Sequence, residues 1–251
     1  MKVFSDYSRY YDLLYRDKDY AGEAAYVCEL IRQFAPGAKR LLDLGCGTGR
    51  HAELLAVHGF DVTGVDRSDD MLALAQPRAS SSLRFVQGDL RELRLGSTYD
   101  VVVSLFHVFS YQTTNEDLAA AFQTAREHLN PGGVLIFDCW YGPAVLTDPP
   151  TVRVKRLADD ELEVIRIAEP VLHPNDNTVD VRYQVVIHSR SKGEASQLTE
   201  THVMRYLFKP EVLGYMAAAN LTLLACEEWR SRKPPGSETW NVVFVGRNHV
   251  G

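Results

Sequence analysis

Three alternating glycines follow a short apolar run early in the chain, where residues 41–50 read LLDLGCGTGR. An apolar run that ends in this way is typical of a buried strand that turns abruptly into a helix. Gly45, Gly47 and Gly49 permit the positive φ angles of a tight turn and let a ligand approach the backbone closely. The helix that follows begins with unpaired N–H groups. The pattern predicts a site where a flat, polar, nucleotide-like ligand lies against the main chain.

The spacing of these glycines separates two classes of ligand. A dinucleotide site uses G-x-G-x-x-G, whose third glycine lets the helix pack close to the strand beneath a pyrophosphate. Here the spacing is G-x-G-x-G, and Arg50 stands where that motif has its last glycine. The spacing therefore disfavours an NAD-linked oxidoreductase, which stays an alternative.

The glycine segment resembles the first motif of the class I S-adenosylmethionine (SAM)-dependent methyltransferases. The resemblance continues in order through GVD at 64–66, GD at 88–89 and LNPGG at 129–133, and it covers roughly residues 1–140. It implies SAM as the cofactor and S-adenosylhomocysteine as its product. The cofactor-binding residues that it implies are Tyr7, Tyr11, Asp43, Gly45, Gly47, Gly49, Asp66, Arg67, Met71, Asp89, Leu90 and Leu105.

Three carboxylates of this set lie where SAM needs hydrogen-bond acceptors. By the resemblance, Asp66 accepts from both ribose hydroxyls, Asp89 accepts from the adenine amino group, and Asp43 orients the amino group of the methionine moiety. For Asp89 the alternative is a helix cap. Met71 and Leu90 are candidates to flank the adenine ring, although a Met at helical spacing is more often plain core.

Tyrosines crowd the N-terminal segment, where residues 7–12 read YSRYYD. This segment resembles the opening of methyltransferases of small metabolites and nucleotide-linked amino sugars, in which it folds over the ligand. Tyr7 and Tyr11 stand at helical i, i+4 spacing, and an aromatic face near a sulfonium contributes about 1 kcal/mol of cation–π attraction. The alternative is that these tyrosines pack an amphipathic helix.

Residues 104–111, SLFHVFSY, follow the fourth predicted strand and face the methyl group in the resembling fold. A base is needed there only if the acceptor atom carries a proton. His107 and Tyr111 stand at i, i+4 and are the candidate catalytic residues, since imidazole titrates near neutral pH. The alternative is a histidine hydrogen-bonded within a packed turn. Some amino-sugar N-methyltransferases that resemble this chain carry their histidine where Tyr111 falls, so the identity of the base stays open.

The fifth predicted strand leads toward the same cleft through DCWYGP at 138–143. Asp138 is a candidate to bind a cationic or hydroxylated acceptor. Trp140 and Tyr141 are candidates for the wall of the acceptor pocket. Their alternative is packing between the sheet and the segment that follows.

These motifs need elements that position them, and the sequence alternates short apolar runs with helical stretches. After an amphipathic segment at 21–34, strands are predicted at 40–44, 61–66, 83–87, 99–105 and 134–138, and helices at 49–58, 69–76 and 116–129. This alternation is typical of a parallel sheet covered on both faces. Right-handed crossovers make it doubly wound, with ligands at the carboxyl ends of the strands.

A different pattern begins after residues 149–150. Period-two or β-branched runs at 152–157, 162–172, 178–190 and 198–207 predict an antiparallel meander. A helix at 209–219 and strands at 221–229 and 240–247 complete the sheet, whose last strand is antiparallel in the resembling family. The predicted fold is α/β: a doubly wound, mostly parallel, seven-stranded Rossmann-like sheet with an inserted antiparallel β cap.

Three regions follow from this prediction. Residues 1–148 form the SAM-binding core with an N-terminal lid, residues 149–207 form the cap on the substrate side, and residues 208–251 complete the core sheet.

Composition excludes several classes of partner. A net charge of −6 over 251 residues argues against a nucleic acid held by phosphate contacts. The apolar runs are too short to cross a bilayer and the first residues lack the apolar centre of a signal peptide, so we expect a cytoplasmic protein without a membrane partner. Four scattered cysteines without a C-x-x-C pair predict no metal site. A homodimer is left open.

These observations together predict a SAM-dependent methyltransferase that acts on an O or N atom of a small metabolite. A sugar or nucleotide sugar is the leading acceptor. The alternatives are a SAM-binding protein with a regulatory role and no catalysis, and a methyltransferase for another class of acceptor. The sequence leaves the acceptor atom and the number of methyl transfers open.

Overall fold

The computed structural model describes residues 13–190 and 193–249 of the chain. Tyr7 and Tyr11, which the sequence assigns to the cofactor site, lie outside these residues. The first part alternates helices and strands: α1 (Tyr20–Phe34), β1 (Arg40–Leu44), α2 (Arg50–Val57), β2 (Asp61–Asp66), α3 (Asp69–Ala75), β3 (Leu83–Gln87), β4 (Tyr99–Ser104), α4 (Asn115–Glu127), β5 (Leu129–Trp140) and α5 (Gly142–Thr147). Then follow β6 (Arg153–Ala158), β7 (Leu162–His173), β8 (Thr178–Ser189), β9 (Glu194–Arg205), α6 (Lys209–Ala218), β10 (Leu221–Glu228) and β11 (Asn241–Asn248). Short 3₁₀ turns span Gln76–Arg78 and Val108–Tyr111.

The core of the described chain is a seven-stranded sheet in the order β3-β2-β1-β4-β5-β11-β10. β1 pairs in parallel with β2 and β4, and β11 runs antiparallel between β5 and β10. The predicted doubly wound, mostly parallel sheet is confirmed. The direction of winding reverses between β1 and β4. In sheets of this kind a ligand binds where the winding reverses, in the crevice at the carboxyl ends of the strands.

The central strands are mostly apolar because helices cover both faces of the sheet. One face packs against α4 and α6 around Phe109, Phe122 and Phe137, whose ring centroids lie 4.3, 5.0 and 5.4 Å apart. The other face packs against α1 and α2 through buried side chains such as Leu30 and Leu55. These two apolar layers fix where each strand ends, and therefore where the side chains at the carboxyl edge lie.

β5 is longer at both ends than the predicted run at 134–138. Leu129 at its start pairs with Tyr99 of β4, and Trp140 at its end pairs with Asn241 of β11. Backbone pairing on both sides thus extends the strand beyond its apolar centre. The extension carries Trp140 to the edge of the sheet where the cap begins.

Strands β6 to β9 form a separate antiparallel sheet in the order β6-β7-β8-β9, so the predicted antiparallel cap is confirmed. The pairing of β7 with β8 runs from Leu162 opposite Ser189 to His173 opposite Thr178. β9 begins at Glu194 rather than at 198, because Glu194 already pairs with Ser189 of β8. The polar start of this strand hid its beginning from the sequence pattern.

Two apolar clusters fasten the cap to the rest of the chain. In one, Val164 and Val185 of the cap pack with Met71 of α3 and with Leu14. The other joins cap residues to Trp140 at the end of β5. The division of the chain into three regions at residues 148 and 207 stays a prediction. Within the described residues, no helix combines the length and apolar character needed to cross a membrane.

Candidate active site

A cavity of about 540 Å³ lies between the carboxyl ends of the parallel strands and the cap. Its volume is usual for a small-molecule site. The residues predicted from the sequence that line it are Gly45, Gly47, Asp66, Arg67, Met71, Asp89, Leu90, Leu105, His107, Tyr111 and Trp140. Four other predicted residues lie outside the lining: Asp43, Gly49, Asp138 and Tyr141.

The glycine loop joins β1 to α2, and φ is 80° at Gly45, 55° at Gly47 and 76° at Gly49. A Cβ at Gly45 would come within 2.6 Å of Val108, and one at Gly49 would come within 2.6 Å of Phe85. Packing therefore requires glycine at these two positions. At Gly47 a Cβ would meet nothing within 4 Å, and this residue lines the cavity. The loop thus leaves one stretch of backbone open to a ligand.

We expect Gly47→Ala to fold but to bind SAM about tenfold more weakly, because overfilling a fitted site costs about 1–3 kcal/mol. A left-handed φ costs a residue other than glycine about 1–2 kcal/mol. The matched control is Gly96→Ala, where φ is 64° and a Cβ also meets nothing within 4 Å. Urea denaturation should show that the two substitutions lower the free energy of unfolding equally. Calorimetry should show weaker SAM binding in Gly47→Ala alone. Equal SAM affinities would contradict the assignment.

Asp66 ends β2 and places its carboxylate on the wall of the cavity. One oxygen accepts a hydrogen bond from the backbone N–H of Gly47 at 2.8 Å, and the other accepts from that of Ser68 at 2.9 Å. Burial raises the pKa of Asp66 although these hydrogen bonds oppose the shift. A carboxylate has about four acceptor sites, so further sites remain for a hydroxylated ligand.

Asp43 lies behind the glycine loop and is 2% exposed. Burial, together with the neighbouring charge of Asp66, raises the pKa of Asp43 from its ordinary 3.8 to about 7. The carboxyl group is therefore protonated more readily in the folded chain than in the unfolded chain. Between these two pKa values the folded state binds the extra proton, and the contribution of Asp43 to the free energy of unfolding falls as pH rises.

We expect Asp43→Asn to remove this pH dependence. The wild-type free energy of unfolding should fall, relative to that of the variant, by at most about 4 kcal/mol as pH rises from about 4 to about 7. Urea denaturation of both proteins at a series of pH values measures the difference. A difference that is constant with pH, or that changes in the opposite direction, would contradict the raised pKa.

Asp89 lines the cavity, and its carboxylate pairs with Arg91. The guanidinium Nε and Nη2 atoms donate to its two oxygens at 2.9 and 2.6 Å. These hydrogen bonds lower the pKa of Asp89 despite partial burial. The backbone N–H of Arg91 also donates to this carboxylate at 3.0 Å and closes the turn after β3. A local capping bond is thus present, and the role of Asp89 toward adenine stays a prediction.

The apolar part of the wall comes from Met71, Leu90 and Leu105, which are all buried. Met71 also packs against the cap, so it takes part in the core and lines the cavity at once. Arg67 lies exposed at the edge of the cavity.

His107, which follows β4, lies beside Asp138, which belongs to β5. Nδ1 of His107 lies 2.7 Å from Oδ2 of Asp138, and the backbone N–H of His107 donates to the same carboxylate at 3.3 Å. Asp138 is 2% exposed and lies one layer behind the wall that His107 forms. Despite this close approach, Nδ1 has no hydrogen-bond partner among the described residues, so the ring and the carboxylate interact through their close contact alone. His107 is thus a candidate general base beside a buried acid. Direct contact of Asp138 with an acceptor stays a prediction.

The backbone before the 3₁₀ turn is strained at two successive residues. φ is 68° at Phe106 and 65° at His107, a region that residues other than glycine rarely adopt. Such residues cost about 1–3 kcal/mol each and occur mainly at functional sites. Tyr15 packs edge-on against the Phe106 ring at 5.1 Å, and the Lys18 ammonium lies 4.4 Å from its centroid. His107 therefore reaches the cavity from a strained turn rather than from the helical turn that the i, i+4 spacing suggested.

Tyr111 ends the 3₁₀ turn and contacts the cap. Its Oη atom lies 2.8 Å from Nδ1 of His202 on β9. Nε2 of His202 in turn lies 3.3 Å from a carboxylate oxygen of Glu200. Burial raises the pKa of Tyr111 well above its ordinary value. The two candidate catalytic residues thus line one cavity, but each has a different polar partner.

Trp140, at the end of β5, and Tyr141, the next residue, lie in different surroundings. Trp140 lines the cavity, with its ring 5.8 Å from that of Trp240 and 6.4 Å from that of His107. Tyr141 is 9% exposed and belongs to the core cluster. Tyr141 therefore packs in the core, and the role of Trp140 as a wall of the acceptor pocket stays a prediction.

The sequence analysis did not predict that Arg50 and His51, which directly follow the glycine loop, also line the cavity. The Arg50 guanidinium lies 5.3 Å from the ring centroid of Tyr20, and Nε2 of His51 lies 2.7 Å from a carboxylate oxygen of Glu23. Although burial acts to raise it, hydrogen bonds from His51 and Lys18 lower the pKa of Glu23 to about 2. The signal was available for Arg50 and His51, since they follow the loop directly and must form the first turn of α2.

Sequence reasoning also missed the cap residues that line the cavity: Arg153, Arg166, Val181, Tyr183, His202 and Met204. Alternation along a strand tells which residues share a face, but it does not tell which face meets the core. In the described part of the chain, no group of three or more His, Cys, Asp or Glu side chains is arranged to hold a metal ion.

Comparison with known proteins places this site in a family. Residues 41–133 match the family described as a methyltransferase domain. The chain is 34% identical over 243 residues to the dTDP-3-amino-3,4,6-trideoxy-alpha-D-glucopyranose N,N-dimethyltransferase of Streptomyces venezuelae, with 96% of this chain and 97% of that protein covered. The chain belongs to the class I SAM-dependent methyltransferases.

Solved structures agree with this membership. The methyltransferase matches the crystal structure of Streptomyces venezuelae DesVI with a TM-score of 0.82 and 31% identity, over 97% of this chain and 98% of that chain. It matches SAM-bound CalS10, an amino pentose methyltransferase from Micromonospora echinaspora, with a TM-score of 0.78 and 27% identity, over 98% and 97% of the two chains. The predicted family, its likeness to amino-sugar N-methyltransferases and its use of SAM are confirmed. Membership decides against the oxidoreductase and the regulatory protein.

Proposed function

We propose that this methyltransferase moves a methyl group from SAM to the amino nitrogen of a nucleotide-linked amino sugar. One observation carries the proposal: a single cavity has Gly47 and Asp66 on its core wall and Arg153 and Arg166 on its cap wall. A cofactor and an anionic small molecule can therefore meet in it. The names of three relatives specify dTDP-linked amino sugars as their substrates, which favours nitrogen over oxygen.

The residues on the core wall of the cavity offer the polar and apolar groups that SAM needs. Gly47 leaves backbone open, Asp66 offers acceptor sites to ribose hydroxyls, and Asp89 offers an acceptor to the adenine amino group. Met71 and Leu90 supply apolar contact for the ring. When bound, SAM supplies an electrophilic methyl group on a sulfonium, and a metal-free reaction is part of the proposal.

The cap wall fits a diphosphate. Arg153 pairs with Ala168 across β6 and β7, and Arg166 lies two residues before Ala168. Both arginines therefore lie on the same face of the cap sheet. The Arg166 guanidinium is 4.8 Å from the ring centroid of Tyr183, a contact that orients it. Guanidinium groups bind phosphate oxygens with paired hydrogen bonds, so we assign the nucleotide diphosphate to this face.

An alkylamine is an ammonium near neutral pH, and this ammonium must lose a proton before the nitrogen has a lone pair that can attack. We assign this proton to Nε2 of His107, whose Nδ1 atom lies 2.7 Å from the Asp138 carboxylate. Trp140 lies beside the His107 ring and offers an aromatic face to cationic groups. These residues align the reacting atoms and exclude water from them, which is the main contribution an enzyme makes to a direct displacement.

The test is an assay of the purified enzyme with SAM and a panel of dTDP-linked sugars, in which mass spectrometry detects methylated products. We expect methylation of 3-amino or 4-amino sugars and none of the matching hydroxy sugars. The same amino sugars without the nucleotide should react at least about tenfold more slowly at equal concentration, because the charge-assisted hydrogen bonds to the diphosphate are lost. Equal rates would remove the role of the cap arginines, and methylation of hydroxyl groups alone would overturn the proposal.

Three further statements belong to the proposal. The cap, residues 149–207, forms the acceptor side of the cavity, as Arg166 and Tyr183 suggest. A homodimer and a cytoplasmic location remain predictions from the sequence.

A further inference from the structure

The two strained residues that follow β4 need neighbours that hold them in place. φ is 68° at Phe106 and 65° at His107, and residues other than glycine keep such angles only where their surroundings fix them. On one side, the buried Asp138 carboxylate accepts a hydrogen bond from the backbone N–H of His107 at 3.3 Å. That hydrogen bond acts on His107, and other contacts act on Phe106.

The side chain of Lys18, in the segment before α1, lies against the Phe106 ring. Its Nζ atom is 4.4 Å from the ring centroid, and Tyr15 packs edge-on against the same ring at 5.1 Å. Nζ also lies 5.0 Å from the ring centroid of Tyr20. The Lys18 side chain is 14% exposed, and an ammonium withdrawn from water is attracted more strongly to an aromatic ring than an exposed one. The contact with Lys18 therefore stabilises the position of the Phe106 ring.

The carboxylate of Glu23, in the first turn of α1, fixes the ammonium in turn. Lys18 donates to one oxygen of Glu23, and Nε2 of His51 lies 2.7 Å from the other. Although burial acts to raise it, hydrogen bonds from His51 and Lys18 lower the pKa of Glu23 to about 2, so the carboxylate is ionised near neutral pH. His51 belongs to the first turn of α2, which follows the glycine loop. Glu23 thus connects Lys18 to the helix that begins at this loop.

We propose that Lys18 is a positioning residue for His107 and that it acts through the aromatic ring of Phe106. The inference rests on the proposed function, in which His107 takes the proton of the acceptor. Phe106 and His107 line the cavity, whereas Lys18 is not among the described residues that line it. The rings of Phe106 and His107 lie 5.5 Å apart at an interplanar angle of 44°. A displacement of the first ring therefore changes the surroundings of the imidazole.

A purely structural role of Lys18 makes a different prediction. If the ion pair with Glu23 served the fold alone, loss of Lys18 would lower the free energy of unfolding and leave the kcat of the folded enzyme as it was. In the positioning role, kcat depends on a cation over the Phe106 ring. A guanidinium also binds a carboxylate and stacks on an aromatic ring. Lys18→Arg therefore keeps both contacts, and Lys18→Met keeps only the apolar stem.

NMR of the imidazole signals in the ligand-free enzyme tests the positioning without any turnover. We expect Lys18→Met to shift the ring proton signals of His107, because the ring current of Phe106 acts on them. Lys18→Arg should leave these signals close to their wild-type positions. The matched control is Lys39→Met, which removes an exposed lysine just before β1 and should shift none of them. His107 signals at wild-type positions in a folded Lys18→Met protein would overturn the inference.

Kinetics at saturating SAM, with an amino-sugar substrate, tests whether the position of the turn matters for the reaction. We expect Lys18→Met and Phe106→Leu each to lower kcat about tenfold, the loss expected for a cation–π contact withdrawn from water. The double variant should be no slower than Phe106→Leu, because each substitution breaks the same contact. Lys18→Arg should keep most of the wild-type kcat, and Lys39→Met should keep all of it.

The outcomes separate this inference from the proposed function. A wild-type kcat in Lys18→Met, equal losses in Lys18→Met and Lys18→Arg, or losses that multiply in the double variant would overturn the positioning role alone. If Lys18→Met does not fold, Lys18→Met/Glu23→Gln also removes the buried carboxylate charge and carries the same expectations. A wild-type enzyme that methylates no amino sugar would overturn the proposed function, and the NMR comparison would still decide whether Lys18 holds the turn.

Discussion

Replacing His107 with Gln is expected to lower kcat by about 10²–10⁴, the usual range for loss of a general base. Glutamine keeps a polar side chain of similar size but cannot take a proton. The buried carboxylate of Asp138 lies 2.7 Å from the imidazole in the wild type, so Asp138→Asn should lower kcat by a smaller factor of about 10–100, since it removes the neighbouring charge but leaves the base itself in place. Calorimetric affinity for SAM should change less than threefold in both variants, because neither residue is assigned to the cofactor.

A matched control for this pair is His173→Gln, which changes a partly exposed cap histidine outside the cavity and should leave kcat unchanged. The decisive comparison is with Tyr111→Phe. If His107→Gln kept full activity while Tyr111→Phe lost it entirely, the proton acceptor would have to be reassigned to Tyr111.

The second large effect is expected at the cofactor. Asp66→Ala should weaken SAM binding at least about 100-fold, because each hydrogen bond from a ribose hydroxyl to a carboxylate contributes about 1.5–3 kcal/mol. The same substitution removes the acceptor for the Gly47 backbone N–H at 2.8 Å and so loosens the loop. Calorimetric titration with SAM and S-adenosylhomocysteine measures the loss.

Asp61→Ala is the control for Asp66→Ala, since Asp61 begins the same strand and is exposed at its other end. It should bind SAM as the wild type does. Melting curves of both variants report whether the fold persists. Unchanged affinity in a folded Asp66→Ala protein would show that the ribose assignment is wrong.

The core sheet was predictable from the sequence because its strands are buried on both faces. A strand covered by helices on both faces needs mostly apolar side chains, so the runs at 41–42 in β1 and 101–103 in β4 stand out, although each strand also contains an aspartate. The glycine loop was predictable for a related reason, since glycine is the residue that a left-handed turn selects. Asp66 followed from its place at the end of β2, directly beside that loop.

The polar partners of the site residues were not predictable in this way. Asp138 meets His107 because two residues other than glycine adopt a left-handed φ after β4, which no sequence pattern signals. Arg91 pairs with Asp89 through rotamers of two exposed or half-buried side chains. His202 reaches Tyr111 across 91 residues of chain, and only the docking of the cap on the core brings them together.

The order of strands in the two sheets also sets an order of assembly. Each cap strand pairs with its neighbour along the chain, whereas β1 pairs with β4 across two intervening strands and their helices, and β5 pairs with β11 across the whole cap. Contacts close in sequence form faster than distant ones. On a ribosome the hairpins of the cap can therefore form while β10 and β11 are still unsynthesised, and β11 must later enter the sheet between β5 and β10. We expect the cap of this enzyme to be shaped first and the core sheet to close last.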